Sequence, residues 1–499
     1  MFQPAHCVLF VQVVDWSAKN GHVHIVQILL SDGRIDIYAP NLQGNTVLHV
    51  AAEKGHVNVV RTLFSNFGEN INVRNIAGYT ALHVASAAGV EDVVEVLLSN
   101  SAVDINVRDV VGDEAFHKAA ERGNPNVVRT FLRNPKVDIN VRNIGGYTAL
   151  HIASAAGCVE VVNVLLSDPN VDVYVRSNDQ YTVLHVAAAA GHVEVVNILL
   201  SNEKARIINA YDNVGNTALH KAAENGHEEV VKVLLIDDRV DVNMRNDNGH
   251  TPLHEAVANS NSEIVRLLLS NGRVDANAMN FNENTPLHVA VKINKIAMVR
   301  ILLNSKNVDV NAIDSLGDTS LHIAIKAKMG PIVLLLSNNE NVDVNARNFA
   351  GNTALHEAVH ADPWNADYNG IIKILLYSNR INVNARNSAG NTALHEAAKA
   401  LNYGSAINLL DNKNTDVNAK NSAGNTALHE ATNGSNSMIV RLFLKDTRVD
   451  VNAKNAAGNT AFHEAAKMIH GGGGRFRCII NRYKSRCKCE ECCWKYSVA

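Results

Sequence analysis

Over most of its length the chain has almost no cysteine: of seven in 499 residues, five lie among the last 22. That distribution excludes a disulfide framework for a chain of this size and favours a reducing compartment, with Cys7 and Cys158 reading as ordinary small apolar residues. Net charge is nearly absent too, at −3, which excludes a general attraction to nucleic acid or to an anionic membrane. No apolar run is long enough to span a bilayer. The longest candidate for a secretory core, "CVLFVQVV" at 7–14, has no basic flank before it and is read as the first helix of a terminal unit. Also missing are a Ser/His/Asp set, a phosphate-cradling Gly-rich loop and a paired-carboxylate site. What is there, 46% hydrophobic and 19% charged residues, suits a folded, water-soluble chain.

One stretch interrupts these absences. His356-Glu357-Ala358-Val359-His360 spells H-E-x-x-H, in which two histidines four apart on a helix grip zinc and the glutamate activates water. The chain also holds "TPLHEAVAN" at 251–259, "TALHEAAKA" at 392–400, "TALHEATNG" at 426–434 and "TAFHEAAKM" at 460–468. Where His360 stands, those copies have Ala258, Lys399, Asn433 and Lys467, so the position makes no demand for a ligand. Nor does a third ligand follow closely, with only Asp362 and Asp367 before His395. His-Glu-Ala is therefore a repeated structural phrase. The chain is expected to be no enzyme and to carry no cofactor or metal; a zinc hydrolase at His356, Glu357 and His360 is the alternative set aside.

Aligned on a Leu-His or Phe-His pair, the sequence contains thirteen copies of one unit, with histidines at 49, 83, 117, 151, 185, 220, 254, 288, 322, 356, 395, 429 and 463. The step is 34 residues, except for 35 after His185 and 39 after His356. Such a period marks a stacked solenoid, whose units bury their apolar faces only against one another. In "NARNSAGNTALHEAAKALNYGSAINLLDNKNTDV", Gly390 gives the turn its permissive backbone and Thr392 follows as a helix N-cap. His395 falls where a capping box holds Glu or Gln, and an imidazole nitrogen can make the same bond. Pro252 and Pro286 stand at N1, where a missing amide costs nothing. Leu394 points inward and Ala397 lets the next helix approach. A glycine such as Gly55, Gly89 or Gly191 ends the first helix, and "VEVVNILL" at 193–200 begins a second. Alternating stretches such as "VDVNAR" are predicted to be extended fingers between units.

Taken in order, "T-x-L-H-x-A", "G-H-x-x-V-V", "L-L" and "D-V-N-A" resemble the ankyrin repeat over residues 41–467, nearly the whole chain. The resemblance implies a mainly α solenoid of helix-turn-helix units joined by β-hairpin or extended fingers. Residues 1–40 then form an N-terminal capping repeat, and 41–467 the thirteen repeats with a five-residue insertion near 361–370. Residues 468–499 form a degenerate C-terminal cap, broken by "GGGG" at 471–474, and a basic, Cys-rich tail. The period exceeds the usual value of about 33 by one residue. Glu114 replaces the threonine, and Gln180 and Glu283 replace the turn glycine at a cost of about 1 kcal/mol each. By resemblance the chain is a scaffold or adaptor that binds one or more proteins in the cytoplasm or nucleus. A secreted microbial or viral effector, using the same array in a host cytoplasm, is the rival reading. The resemblance also makes Asn243, Asn311, Asn345, Asn418 and Asn452 candidates for hydroxylation.

Some fourteen units stacked roughly 8–10 Å apart would offer about 130 Å of surface, several times what one small partner covers. Directly after the histidine, Val84, Ile152 and Val186, with Val50, make an apolar section broken by Lys118 and Lys221. Glu357, Glu396 and Glu430, with Glu255 and Glu464, make an acidic one; the alternative is that this position merely packs. Basic letters recur at the finger tips, from Arg74, Arg108, Arg142 and Arg176 to Lys420 and Lys454. Offset by acids and lacking interleaved aromatics, they are not expected to bind nucleic acid. Tyr211, Met279 and Ile313 interrupt them with apolar tips. In the insertion "HADPWNADYNG", 360–370, Trp364 and Tyr368 resemble interface anchors, against the alternative that the tryptophan folds back onto its own repeat. In the tail, Cys487, Cys489, Cys492 and Cys493, with Cys478 and His470, leave zinc binding and S-acylation open beside an unstructured tail.

Overall fold

A threonine and a histidine three residues apart start the first helix of nearly every copy. Thr148 accepts through its side chain from the amide of His151, and its own amide donates to Nδ1 of His151 at 3.3 Å, so two orphan donors of the first turn are satisfied together. The bond to Nδ1 recurs in all thirteen copies. Glu114 fills the threonine's place with its carboxylate accepting and its amide 3.1 Å from His117. Pro252 and Pro286 open their helices at the first position. After seven or eight residues most of these helices end at a left-handed residue, Gly89 or Gly191 for example, and Ser260, Asn294, Lys328 and Leu401 take that conformation in later copies. A second helix follows, such as Val159–Ser167, and buries Val161, Val162 and Leu165.

The computed structural model describes residues 4–32, 36, 38–67, 71–202, 207–360, 366–433 and 437–469, and among them are twenty-seven helices and no β-strand. Two units divide the chain, Met1–Asp247 and Asn248–Ala499. Within each, first helices stack on first helices and second helices on second helices. In the first unit, Pro4–Lys19 and Val23–Ser31 pack on Val47–Glu53 and Val57–Phe67, so the segment 7–14 belongs to a helix pair that stacks on the next one. The core is the same in each repeat. The leucine of Leu-His and the alanine two residues after the histidine are buried, as at Leu150 with Ala153 and Leu184 with Ala187. Truncating such a leucine to alanine costs about 2–5 kcal/mol.

The fingers differ from the β-hairpins that the family resemblance implied. Among the described residues they are turns with isolated bridges only, at Ile313–Thr319, Arg347–Thr353 and Lys454–Thr460. Side chains take over what a strand partner would do. Asn311 Nδ2 donates to the carbonyl of Asn341 in the next finger at 2.8 Å, and its Oδ1 accepts from the amide of Asp343 at 2.7 Å. At the tips, the amide of Phe349 donates to the carbonyl of Leu316 at 3.2 Å. The turn between them needs Gly317 twice over, for its φ of +74° and because a Cβ would lie 2.7 Å from the amide nitrogen of Phe349. Gln180 and Glu283 hold the same left-handed position at φ 63° and 55°.

Candidate functional site: a groove bracketed by two Lys–Glu pairs

In the first unit, two copies of His-Lys-Ala-Ala-Glu, 117–121 and 220–224, bracket two alanine-rich copies, 151–156 and 185–190. Where the outer copies carry Glu121 with Arg122 and Glu224 with Asn225, the inner ones have only methyl groups, at Ala155, Ala156, Ala189 and Ala190. The missing volume leaves an open groove of about 670 Å³ over these alanines, with Ile152 and Val186 half-buried in its lining and Tyr147 and Tyr181 contributed by the finger turns.

The ends of the groove are electrostatically alike. Lys118 is buried, its Nζ 2.7 Å from Asp113, 3.3 Å from Asp109 and 3.2 Å from Glu121, and 5.6 Å from the centre of the Tyr79 ring. Lys221 repeats the arrangement, 3.5 Å from Asp212, 3.3 Å from Glu224 and 5.6 Å from the Tyr181 ring. Burial pulls each ammonium pKa down, but the surrounding carboxylates outweigh it and hold both above the ordinary lysine value. The lysines are thus tucked away, while the side chains of Glu121 and Glu224 stay 43% and 39% exposed.

The histidines beside the groove are committed to structure. Nε2 of His151 lies 3.1 Å from the carbonyl of Tyr181, and that of His185 lies 2.9 Å from the carbonyl of Asn216. Burial pushes both pKa values down to about 4. The H-E-x-x-H stretch follows the same rule. His356 donates to the carbonyl of Asn391 at 2.9 Å through Nε2 and accepts from Thr353 at Nδ1. His360 turns away to Glu396, 3.3 Å from Oε2, so the two histidines face different partners.

Of the residues singled out from sequence, Ile152 and Val186 come together in the groove; Val84 is half-buried but lies beyond Lys118, outside it. The acidic section is corrected: its glutamates are turned inward as acceptors. Glu396, 3% exposed, takes the side-chain amides of Asn387 and Asn391, both at 2.8 Å. Glu357 takes those of Asn348 and Asn352 at 2.9 and 3.0 Å, and Glu430 those of Asn421 and Asn425 at 3.0 Å each. Burial raises the pKa of Glu396, but the two amides and His360 outweigh it and leave it below the usual range.

Tyr368 is corrected as well. Instead of projecting from a loop, it lies in a helix, Ala366–Tyr377, that has twelve residues where Gly330–Asn338 has nine, so part of the insertion became helix. The ring is 6% exposed, and its hydroxyl donates to the carbonyl of Lys326 at 3.3 Å. Trp364 lies outside the described residues, as do His470 and the tail cysteines. Tyr211 and Met279 are exposed on their finger tips, Tyr211 with the Arg176 guanidinium 5.8 Å from its ring centre. The basic stripe also ties fingers together: Arg176 donates to the carbonyl of Tyr211 at 3.0 Å, Arg386 to that of Lys420 at 2.6 Å, and Lys420 to that of Lys454 at 2.9 Å, while Arg74 closes its own finger on the carbonyl of Gly78 at 3.1 Å. The hydroxylation candidates Asn311, Asn345 and Asn418 each spend both ends of their amide on the next finger.

Sequence reasoning passed over Tyr147, Tyr181, Glu121 and Glu224. Their signals were present, in the recurring tyrosine just before the capping threonine and in the duplicated His-Lys-Ala-Ala-Glu. It also passed over Leu42, Ile76, Val110 and Ile144, exposed on successive finger tips where later fingers carry Ser388, Ser422 and Ala456.

Short helix pairs, a capping histidine shared by all copies and turn-like fingers define a tandem helical-repeat protein. A family model described as ankyrin repeats, in three copies, matches residues 14–109, 82–177, 169–246, 235–314, 272–348, 321–421 and 394–478. The chain belongs to the ankyrin-repeat family, mainly α repeat solenoids whose general role is to bind proteins. No curated protein matches the chain. Among the described residues, no helix is long and apolar enough to cross a membrane.

Proposed function

We propose that this protein is a non-catalytic scaffold or adaptor that holds a segment of a partner protein in the groove between Glu121 and Glu224. The observation that carries this reading is the alanine floor itself. Four methyl groups replace the larger side chains of the bracketing copies and leave about 670 Å³ open beside Ile152 and Val186. A site already held in place by capping bonds and buried ion pairs loses little entropy when it is filled. Its volume suits a handful of side chains. The commitment of His356 and His360 to the repeat supports a binding role over hydrolysis. Scarcity of cysteine in the repeats supports the cytoplasm as the place where binding occurs.

The test is affinity purification with proteomic readout, using the intact chain beside an Ile152→Asp, Val186→Asp double variant whose helicity is checked by circular dichroism. A partner held by the first and lost by the folded variant supports the groove. Partners held equally by both would remove it from consideration and direct attention to the exposed finger tips.

A further inference from the structure

The groove's chemistry narrows what can lie in it, given that it is the binding site proposed above. Five carboxylates, those of Asp109, Asp113, Glu121, Asp212 and Glu224, stand at its two ends against two ammonium groups. The ammonium groups are spent on carboxylates: Lys118 is buried among Asp109, Asp113 and Glu121, and Lys221, which edges the groove with its side chain 14% exposed, is paired with Asp212 and Glu224 and lies over the Tyr181 ring. An occupant therefore meets a half-exposed carboxylate at each end, Glu121 and Glu224, and between them a mainly apolar lining of methyls, Ile152, Val186 and two tyrosine rings, edged by the polar groups of Asp113, Asn143 and Asn225 and by the paired Lys221.

We infer that the occupant is an extended peptide segment with a Lys or Arg near each end and apolar side chains between them. Glu121 and Glu224 are three repeats apart in sequence, which at roughly 8–10 Å per repeat puts their carboxylates about 25–30 Å apart. At about 3.3 Å per residue an extended chain covers that distance in some eight or nine residues, so the two basic residues are separated by that number. A helix rises only about 1.5 Å per residue and would need some seventeen to twenty residues to bring basic side chains to both carboxylates, so an extended chain reaches them with far fewer ordered residues. A segment with acidic ends would set its charges against Glu121 and Glu224, with both lysines already paired. The apolar middle supplies burial, and the basic ends fix register, because a misplaced segment leaves one cation over methyl groups.

The experiment is selection of a random peptide library of about twelve residues, a length that spans the inferred segment, on the full-length chain. Enriched sequences are then measured by fluorescence anisotropy against the parent, Ile152→Asp with Val186→Asp, and Glu121→Gln with Glu224→Gln. The expected result is enrichment of Lys or Arg pairs flanking apolar residues, with affinity falling as salt is added. Binding should weaken on the order of tenfold in the double glutamine variant, whose fold the isosteric change preserves. Peptides that depend on Ile152 and Val186 but show no basic preference, or prefer acidic ends, overturn this inference and leave the groove as the binding site. Peptides indifferent to Ile152 and Val186, or no enrichment at all, overturn both.

Discussion

Nε2 of His151 lies 3.1 Å from the carbonyl oxygen of Tyr181, thirty residues along the chain, while the amide of Thr148 points at its Nδ1. Only a ring protonated at Nε2 alone satisfies both contacts, because a second proton on Nδ1 would face an N–H donor. One imidazole thus closes its own helix and fastens the repeat to the next, provided that it is neutral.

Stability should accordingly fall in mild acid. Burial lowers the folded-state pKa of His151 and His185 to about 4, whereas the unfolded value is about 6.5. Between those values the unfolded chain binds protons that the folded chain refuses. The histidine contribution is therefore complete above about pH 6.5 and is lost as pH drops towards 4, at up to about 1.4 kcal/mol per histidine per pH unit. Thermal melting followed by circular dichroism should show the midpoint moving down steadily across that window. An unchanged midpoint would contradict the neutral, bridging histidine.

In the second unit the histidine bridge persists, with Nε2 of His395 2.9 Å from the carbonyl of Asn425, and a carboxylate–amide network inside the repeat joins it. Glu396→Ala leaves the amides of Asn387 and Asn391 without their acceptor at a buried position, which costs about 1–3 kcal/mol. Glu396→Gln keeps an oxygen for them and should cost less. Because the folded-state pKa of Glu396 is lowered, its contribution is present above the unfolded carboxylate value and fades as pH falls through the lower one. Hydrogen exchange resolved by repeat is the measurement. Protection lost around 387–396 in the alanine variant and largely kept in the glutamine variant is the expected pattern; equal losses would show that the carboxylate's charge matters beyond its geometry.

The repeat, its caps and its left-handed turns were legible because each depends on a few letters at fixed spacing: threonine and histidine three apart, glycine before them, valine pairs in the second helix. The acidic row misled because a glutamate after each histidine reads as surface until the asparagines nine and five residues earlier are seen as its donors. That pairing is itself periodic, in N-x-x-x-N-T-x-L-H-E. The groove was half legible. Ile152 and Val186 stood out as apolar letters, but its depth comes from what Ala155, Ala156, Ala189 and Ala190 leave empty, and absence of volume shows only when neighbouring copies are superposed. Tyr368 was misplaced because an insertion next to a helix can lengthen the helix instead of forming a loop.

Left-handed residues that are not glycine are points where the array can be stabilised. Leu401 has a φ of 60° just after Ala393–Lys399, where other copies use Gly89 or Gly191. Its side chain is partly exposed and little packing is at risk. Relief of left-handed strain, about 1–2 kcal/mol, exceeds the entropy that glycine adds to the unfolded chain, so Leu401→Gly should gain roughly 0.5–1 kcal/mol. Gly317→Ala should lose stability, since its Cβ would press on the amide of Phe349. Urea midpoints of the two variants moving in opposite directions is the expected outcome; a loss from Leu401→Gly would mean that the leucine's contacts outweigh its strain.

Lys118 is the residue whose loss should be costliest near the groove. Lys118→Ala leaves Asp109 and Asp113 buried without their cation, a change that costs about 3–5 kcal/mol when one partner of a buried pair is removed. Lys118→Met, which retains the stem beside Tyr79, should recover little of this, because charge and not packing is what is missing. Adding Asp113→Asn should recover more: it removes one uncompensated charge and still accepts from Asn143, which now donates to Asp113 at 2.8 Å. A double-mutant cycle on urea unfolding measures the coupling. A large coupling between positions 118 and 113 is expected, and strictly additive losses would mean that the lysine holds the end of the groove by packing alone.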